Sequence, residues 1–311
     1  MKIYTDWRNL PASARGASVA LGNFDGVHIG HEAVLRAAHS ARPDAARAVL
    51  TFNPHPREYF RPQDPPFRLT LAAEQAAVLE AMEVEVLFQL PFNAEFSHLT
   101  AEAFVQEVLF EGIGAAHLSC GGDFAFGYRR GGDVGFLAAR AETFGIGLSV
   151  APMVTDAQGP VSSTRIRRLL QDGYPERAAL LLGRPYAIRG VVMHGDARGR
   201  TIGFPTANIP LGKHLEPQRG VYAVTTSIGG KFYKGVANIG LRPTVGGTES
   251  RLEVYFFDFV GDLYGQELAV QLRCFIRPEQ KFPSFDALKA QIGHDVAYAR
   301  RVLDALPDSA T

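Results

Sequence analysis

The chain is short of cysteine, of surplus charge and of long apolar runs. Its two cysteines, Cys120 and Cys274, are too few and too far apart for a disulfide framework or a cysteine-based zinc site, which suits a reducing cytoplasm. Lys+Arg and Asp+Glu both total 32, for a formal net charge of +0. The basic excess that usually accompanies DNA or RNA binding is missing, which argues against a nucleic-acid partner. No stretch is apolar for long enough to span a bilayer, and the opening MKIYTDWRNLPASARG has nothing like a signal-peptide core. These absences point to a cytoplasmic protein that handles small molecules away from membranes; a monomer or weak homo-oligomer is the expectation, though sequence does not give oligomeric state.

What is present is ordinary for a globular protein and ample for two hydrophobic cores: 311 residues, 46% hydrophobic and 21% charged. The first half alternates strand-like and helix-like runs. SVAL (18–21), RAVLTF (47–52), VEVLFQL (84–90), AHLSC (116–120) and IGLSVAP (146–152) are the strands. Between them lie GHEAVLRAAHSA (30–41), TLAAEQAAVLEAM (70–82), TAEAFVQEVLFEG (100–112, with Thr100 as N-cap) and a helix near 133–143. Such alternation predicts a parallel sheet covered on both faces. Past LLGRPY (181–186) the pattern turns to hairpins: YAIRGVVMHG (186–195), GVYAVTTSIGGKFYKGVANIG (220–240) and RLEVYFFDFVGDLYGQELAVQLRCFI (251–276). Gly229-Gly230 and VGDLYG read as reversals. An amphipathic helix over 284–306, capped by Ser284, closes the chain. The expected fold is α/β: a Rossmann-like domain over 1–183 and a small antiparallel β-barrel with a closing helix over 184–311.

Chemistry concentrates in a few stretches. LGNFDGVHIGH (21–31) falls between the first strand and first helix, where open parallel sheets bind ligands. Its glycines allow close backbone approach, the helix start favours an anion, and protonated His28 and His31 would donate to phosphate oxygens. A metal pair or two structural histidines are the competing readings. VSSTRIRRLL (161–170) offers hydroxyls from Ser162, Ser163 and Thr164 and permanent charge from Arg165 and Arg167, or is simply a basic helix start. TFNPHP (51–56) reads as a rigid turn or a ligand edge. HGDARGRTIGFPTANI (194–209) is a second glycine-rich loop. Thr206 and Asn208 there are two apart, so an extended backbone points both side chains the same way, as oxygen ligands for Mg²⁺ and phosphate or as parts of an ordinary turn. Glu253, charged in an aromatic strand, is a candidate general base or a surface residue that shares a face with Arg251.

HIGH (28–31) matches the H-x-G-H signature of the nucleotidylyltransferases. Together with GNFDGVHIGH, TFNPHP, GGDFAFGYRRGGD (121–133), SSTRIR (162–167) and GFPTAN (203–208), the chain resembles the bacterial bifunctional riboflavin kinase/FMN adenylyltransferases, also called FAD synthetases. The resemblance implies FMN adenylylation in the first domain and riboflavin phosphorylation in the second, with ATP as donor, Mg²⁺ as helper, and riboflavin, FMN and FAD as substrates or products. It implies that His28, His31, Arg165 and Arg167 handle the adenylyl transfer, with Gly22, Phe24, Asp25, Gly26, Ser163 and Thr164 around the ATP. Asn53, His55, Pro56, Asp123, Phe126 and Gly127 fall on the flavin side. In the kinase module it implies Gly195 and Gly199 in the ATP loop, Thr206 and Asn208 on Mg²⁺ and phosphates, Glu253 as the base, and Arg242, Thr244 and Arg277 near the substrate. Val245 stands where that module often has an aromatic. A nucleotidylyltransferase acting on pantetheine phosphate or nicotinamide mononucleotide would have no use for GFPTAN. A tRNA-synthetase-like protein would be expected to carry a K-M-S-K-S element, and a catalytically dead flavin-binding regulator is excluded only by assay.

Overall fold

The computed structural model describes residues 1–194, 204, 206–244 and 247–306; of 242–244, 247 and 248 it describes the backbone alone. The chain packs as two units, 1–64 with 70–162, and 65–69 with 163–311.

In the first unit, β1 (Lys2–Tyr4), β2 (Ser18–Leu21), β3 (Arg47–Phe52), β4 (Val86–Leu90), β5 (His117–Gly121) and β6 (Gly147–Ala151) form a parallel sheet in the order β1-β4-β3-β2-β5-β6. Its central strands lack polar alternation because both faces are covered. Val19, Leu21, Ala48, Leu50, Val86, Phe88 and Leu90 enter one apolar cluster, while Ala20, Val49 and Leu87 enter another. The helices are α1 (Ile29–Ala41), α2 (Pro56–Phe60), α3 (Ala72–Ala81), α4 (Ala94–Ser97), α5 (Ala101–Ala103) and α6 (Val134–Thr143). Strand order reverses between β2 and β5, and the carboxyl ends beside such a reversal form a crevice.

One predicted helix differs from the expectation. Thr100 caps it as read, its Oγ1 accepting from the Ala103 N–H at 3.0 Å. From Phe104 to Gly112, however, the helix is π-type, with the Ile113 N–H reaching the Val108 carbonyl at 2.8 Å. The buried residues Phe104, Val105, Val108, Leu109 and Gly112 recur every four positions, and a wider turn keeps that stripe on the core.

The second unit contains α7 (Ser163–Gln171), α8 (Pro175–Leu182), β9 (Tyr186–Val191), β10 (Ala207–Pro210), β11 (Gly220–Ile228), β12 (Lys231–Thr244), β13 (Gly247–Phe256), β14 (Glu267–Pro278) and α9 (Phe285–Asp304). The strands pair antiparallel in the order β10-β13-β12-β11-β14-β9. Just past β9, the Met193 N–H reaches the Asn208 carbonyl at 2.8 Å, so the barrel nearly closes. Gly229 and Gly230 have φ of 57° and 78°, the positive pair that a two-residue type I′ hairpin requires. Tyr222, Val224, Ile239, Leu252, Val254, Val270 and Leu272 fill the interior at 0% exposure. Ala299 and Leu303 of α9 pack on the outer face against Val221, Ala223 and Val236. Ser284 caps α9 as expected, accepting from the Ala287 N–H at 3.2 Å.

The change of element type falls at Gly183, whose φ of 75° ends α8. Packing divides earlier. Helix α8 lies against β14 and β9, and α7 lies against α8. Residues 65–69 also belong to this unit: Arg68 O accepts from the Leu215 N–H at 2.8 Å, and Phe67 O from Arg167 Nε at 2.9 Å. Among the described residues no helix is long and apolar enough to cross a membrane.

Candidate active sites

The loop after β2 is a strained, tightly held turn at the crevice of the first unit. Phe24 and Val27 adopt φ of 50° and 41°, a region costly for residues with a Cβ and most so for a β-branched one, and Gly26 adopts 85°. Buried bonds hold it there. Asn23 O accepts from Thr51 Oγ1 at 2.9 Å and from Gln75 Nε2 at 2.8 Å. Asp25, 1% exposed, accepts from the Thr70 N–H at 3.2 Å, and the Gly26 N–H donates to Thr70 Oγ1 at 3.0 Å. A Cβ at Gly22 would sit 3.2 Å from the Phe24 ring, a tight approach.

The two histidines cap α1 reciprocally. The His31 N–H donates to His28 Nδ1 at 3.3 Å, and the His28 N–H donates to His31 Nδ1 at 3.2 Å. Their rings stack at 3.6 Å, and His31 also meets Phe24 at 4.9 Å. Because each Nδ1 is an acceptor, each neutral ring carries its proton on Nε2. The Nε2–H groups are then the donors left to meet an anion. Gly30 lies under the stacked ring, where a Cβ would be 3.0 Å from His28 Cε1 and Nδ1.

Two further loops leave the same sheet edge. Asn53, exposed and joined to Pro54 by a cis peptide, leads to His55, which caps α2 by accepting from the Arg57 N–H at 3.1 Å, with Pro56 in the first turn. After β5, Asp123 is exposed, whereas Phe126 is 8% exposed and packs between Phe104 at 5.2 Å and Phe124 at 5.4 Å. Gly127 has φ of 73°, and a Cβ there would lie 2.6 Å from the Ala101 nitrogen. Phe126 and Gly127 thus have evident packing roles.

Ser163, Thr164, Arg165 and Arg167 belong to α7, in the second unit. Ile166 and Leu170 bury one side of that helix, and the Arg167 guanidinium lies 5.1 Å from the Phe67 ring.

The barrel places three polar residues in one cross-strand row. Asn208 on β10 faces Glu253 on β13, and Glu253 faces Asn238 on β12. Opposed residues share a sheet face, here the outer one: Glu253 is exposed, while its neighbours Leu252 and Val254 are fully buried. The row continues to Val221, under α9. Asn208 Nδ2 donates to Thr206 O at 3.4 Å, which leaves Oδ1 as the acceptor of that amide. Arg277 bonds Asp295 on α9 through Nε at 3.0 Å and Nη2 at 2.7 Å, and Pro278 O through Nη1 at 3.1 Å, so it ties α9 to β14. Arg242 and Thr244 lie on β12 with side chains outside the described residues, as are Gly195, Gly199 and Val245 altogether.

Comparison with known proteins follows this division. A model of FAD synthetases matches residues 10–165, and a model of riboflavin kinases matches residues 182–303. Among curated relatives, the bifunctional riboflavin kinase/FMN adenylyltransferase of Pseudomonas fluorescens is 42% identical over 306 residues, 96% of this chain and 97% of the relative. The chain belongs to this family. Members of the same name in Escherichia coli K12 and Bacillus subtilis are 40% and 36% identical, covering 96% and 93% of this chain and 97% and 93% of their own lengths. A solved Streptococcus pneumoniae structure, titled a macrolide-efflux protein, superposes with a TM-score of 0.85 at 34% identity, covering 98% of this chain and 99% of that one. What is shared with it is the two-part fold of the riboflavin kinase/FMN adenylyltransferase family.

Some participants were not foreseen from sequence. Thr51, Thr70 and Gln75 hold the β2–α1 loop from positions up to 52 residues away, and no local spacing announces such contacts. Asn238 becomes visible only once β12 and β13 are in register, although a polar residue inside the apolar run GVANIG was the available signal.

Proposed function

We propose that this riboflavin kinase/FMN adenylyltransferase uses its barrel to phosphorylate riboflavin and its Rossmann-like domain to adenylylate the FMN so formed. Residues 184–311 are assigned the first reaction and 1–183 the second. The observation that carries the reading is the presence of two separate polar constellations, the His28/His31 cap and the Asn208–Glu253–Asn238 row, in a chain that matches both family models in order.

In the kinase step, the ribityl 5′-hydroxyl oxygen attacks the γ-phosphorus of ATP, ADP leaves, and Glu253 takes the hydroxyl proton. Its exposure on the outer barrel face lets a substrate reach it. Thr206 and Asn208 suit a hard cation, since they supply a hydroxyl and an amide oxygen whose partner Nδ2 is already engaged. Mg²⁺ held there would neutralise phosphate charge. Gly195 and Gly199 line the ATP, with Arg242, Thr244 and Arg277 at the flavin.

In the adenylyl transfer, an FMN phosphate oxygen attacks the α-phosphorus of a second ATP and pyrophosphate leaves. Such a reaction needs alignment and charge stabilisation more than proton transfer. The Nε2–H groups of His28 and His31 donate to the phosphates, Gly22 to Gly26 shape the ATP loop, and Ser163, Thr164, Arg165 and Arg167 supply hydroxyls and permanent charge. The flavin lies toward Asn53, His55, Pro56 and Asp123, in front of Phe126 and Gly127. The enzyme works in the cytoplasm on small molecules, as a monomer or weak homo-oligomer without nucleic acid.

The test is a time course of purified protein with riboflavin, ATP and Mg²⁺, with the flavins separated. FMN should precede FAD. The variant carrying His28→Ala and His31→Ala should stop at FMN, and Glu253→Ala should make no FMN yet convert supplied FMN. Loss of both reactions in both variants would overturn the two-site assignment.

A further inference from the structure

We infer that Gln75 is a positioning residue for adenylyl transfer, acting through the backbone of Asn23; this rests on reading the β2–α1 turn as the ATP loop. The Asn23 carbonyl accepts two side-chain bonds, from Thr51 Oγ1 at 2.9 Å and Gln75 Nε2 at 2.8 Å, which occupy both of its lone pairs. Gln75 is 1% exposed in the second turn of α3, its own backbone N–H bonded to Leu71 O at 2.8 Å. Its Oε1 is buried and meets no protein partner among the described residues.

That orphan oxygen is informative. Buried polar groups are nearly always paired, because an unpaired one forfeits its bond to water. Turning the amide over would set Oε1 against the Asn23 oxygen, acceptor to acceptor, so the observed orientation is the one that works. The chain keeps a buried, half-satisfied amide where an apolar side chain of the same length would leave no polar atom to satisfy. What the amide adds is a donor aimed at Asn23, directly before the strained Phe24, whose ring meets His31 at 4.9 Å. Residues in such backbone states persist only where their surroundings over-determine them. Gln75 therefore fixes the tilt of the Asn23–Phe24 peptide and, through Phe24, the stance of His31.

The experiment compares Gln75→Met, of similar length but without a donor, with Thr51→Val, which removes the other donor to the Asn23 carbonyl at nearly unchanged size, and with the two changes combined. Steady-state FAD formation from FMN and ATP is measured in the full chain, with riboflavin phosphorylation and the thermal midpoint recorded in parallel. For Gln75→Met, kcat should fall about three- to tenfold, the worth of one neutral hydrogen bond, with KM for ATP within about twofold. Phosphorylation and the melting midpoint should be unchanged, since Asn23 O keeps Thr51 and the orphan oxygen is gone. Thr51→Val should slow FAD formation by a similar factor, and the double variant by more than either alone. An unchanged kcat in Gln75→Met, a loss that tracks a lowered melting midpoint, or a double variant no slower than Thr51→Val alone would each overturn the inference. The His28→Ala, His31→Ala variant run alongside separates the two ideas: if it still makes FAD, the reading of the loop fails and the inference with it; if it makes none while Gln75→Met keeps the parent kcat, only the role of Gln75 fails.

Discussion

Replacing Gly30 by alanine sets two physical effects against each other. Gly30 is the second residue of α1, where alanine would ordinarily stabilise a helix by up to about 1 kcal/mol. Its Cβ, however, would lie 3.0 Å from two atoms of the His28 ring. Comfortable carbon contacts begin near ~3.5 Å, so the ring must retreat by about 0.5 Å. The cap bond from the His31 N–H to His28 Nδ1 is already 3.3 Å long and has no slack to absorb that movement. Losing it costs about 1 kcal/mol, which cancels the propensity gain and leaves global stability nearly unchanged. Activity has no such compensation. Misaligning one donor at a centre of developing charge typically costs about 100-fold or more in rate. Gly30→Ala should therefore denature at the parent's urea concentration, phosphorylate riboflavin normally, and form FAD about 100-fold more slowly. Formation of FAD within about threefold of the parent rate would refute the reasoning, because the ring would then do its work from a position other than the one over Gly30.

Two other perturbations bear on parts of the molecule away from that cap. Arg277→Met strips the partner from Asp295, whose side chain is 5% exposed, and should destabilise the protein by about 3 kcal/mol in chemical denaturation; a loss below about 1 kcal/mol would show that Gln291 alone satisfies the carboxylate. The Cys120 thiol is pushed up to about 11, by burial first and by the Asp123 carboxylate second, from an ordinary value of 9.0. Its proton is held more firmly in the folded state, so the associated stability is present below pH 9.0 and is lost as the pH rises toward about 11. A denaturation series over that window should fall more steeply for the parent than for Cys120→Ala, and parallel curves would contradict the assignment.

What could be read from the sequence was what is local. HIGH lies within one turn of helix, so its residues meet whatever the remainder of the chain does. The hairpin at Gly229-Gly230 was equally visible, because both its glycines must take positive φ. The change to hairpins at 183 was plain, whereas the packing of residues 65–69 and 163–182 with the barrel was not, since hydrophobic spacing gives the buried face of a helix but not the partner it meets. The π-type segment left no mark beyond an apolar spacing of four. Phe126 and Arg277 matched family motifs in the chain, yet their burial against Phe104 and their pairing with Asp295 depend on contacts 22 and 18 residues away. The holders of the β2–α1 loop lie farther still, and a buried Gln or Thr in a helix or strand looks like any other until its partner is known.

The alternation along β13 has a bearing on how such an enzyme changes over generations. Glu253, the proposed base, faces outward while Leu252 and Val254 seal the barrel, so the proposed chemistry and the architecture occupy different residues of one strand. A mutation at an outward position is free to alter what is bound or how fast it reacts without creating a void inside. Most enzymes trade robustness for new activity because the same side chains serve both. At Glu253 the pleat of a single strand insulates the two, and that position can change while Leu252 and Val254 keep the barrel shut.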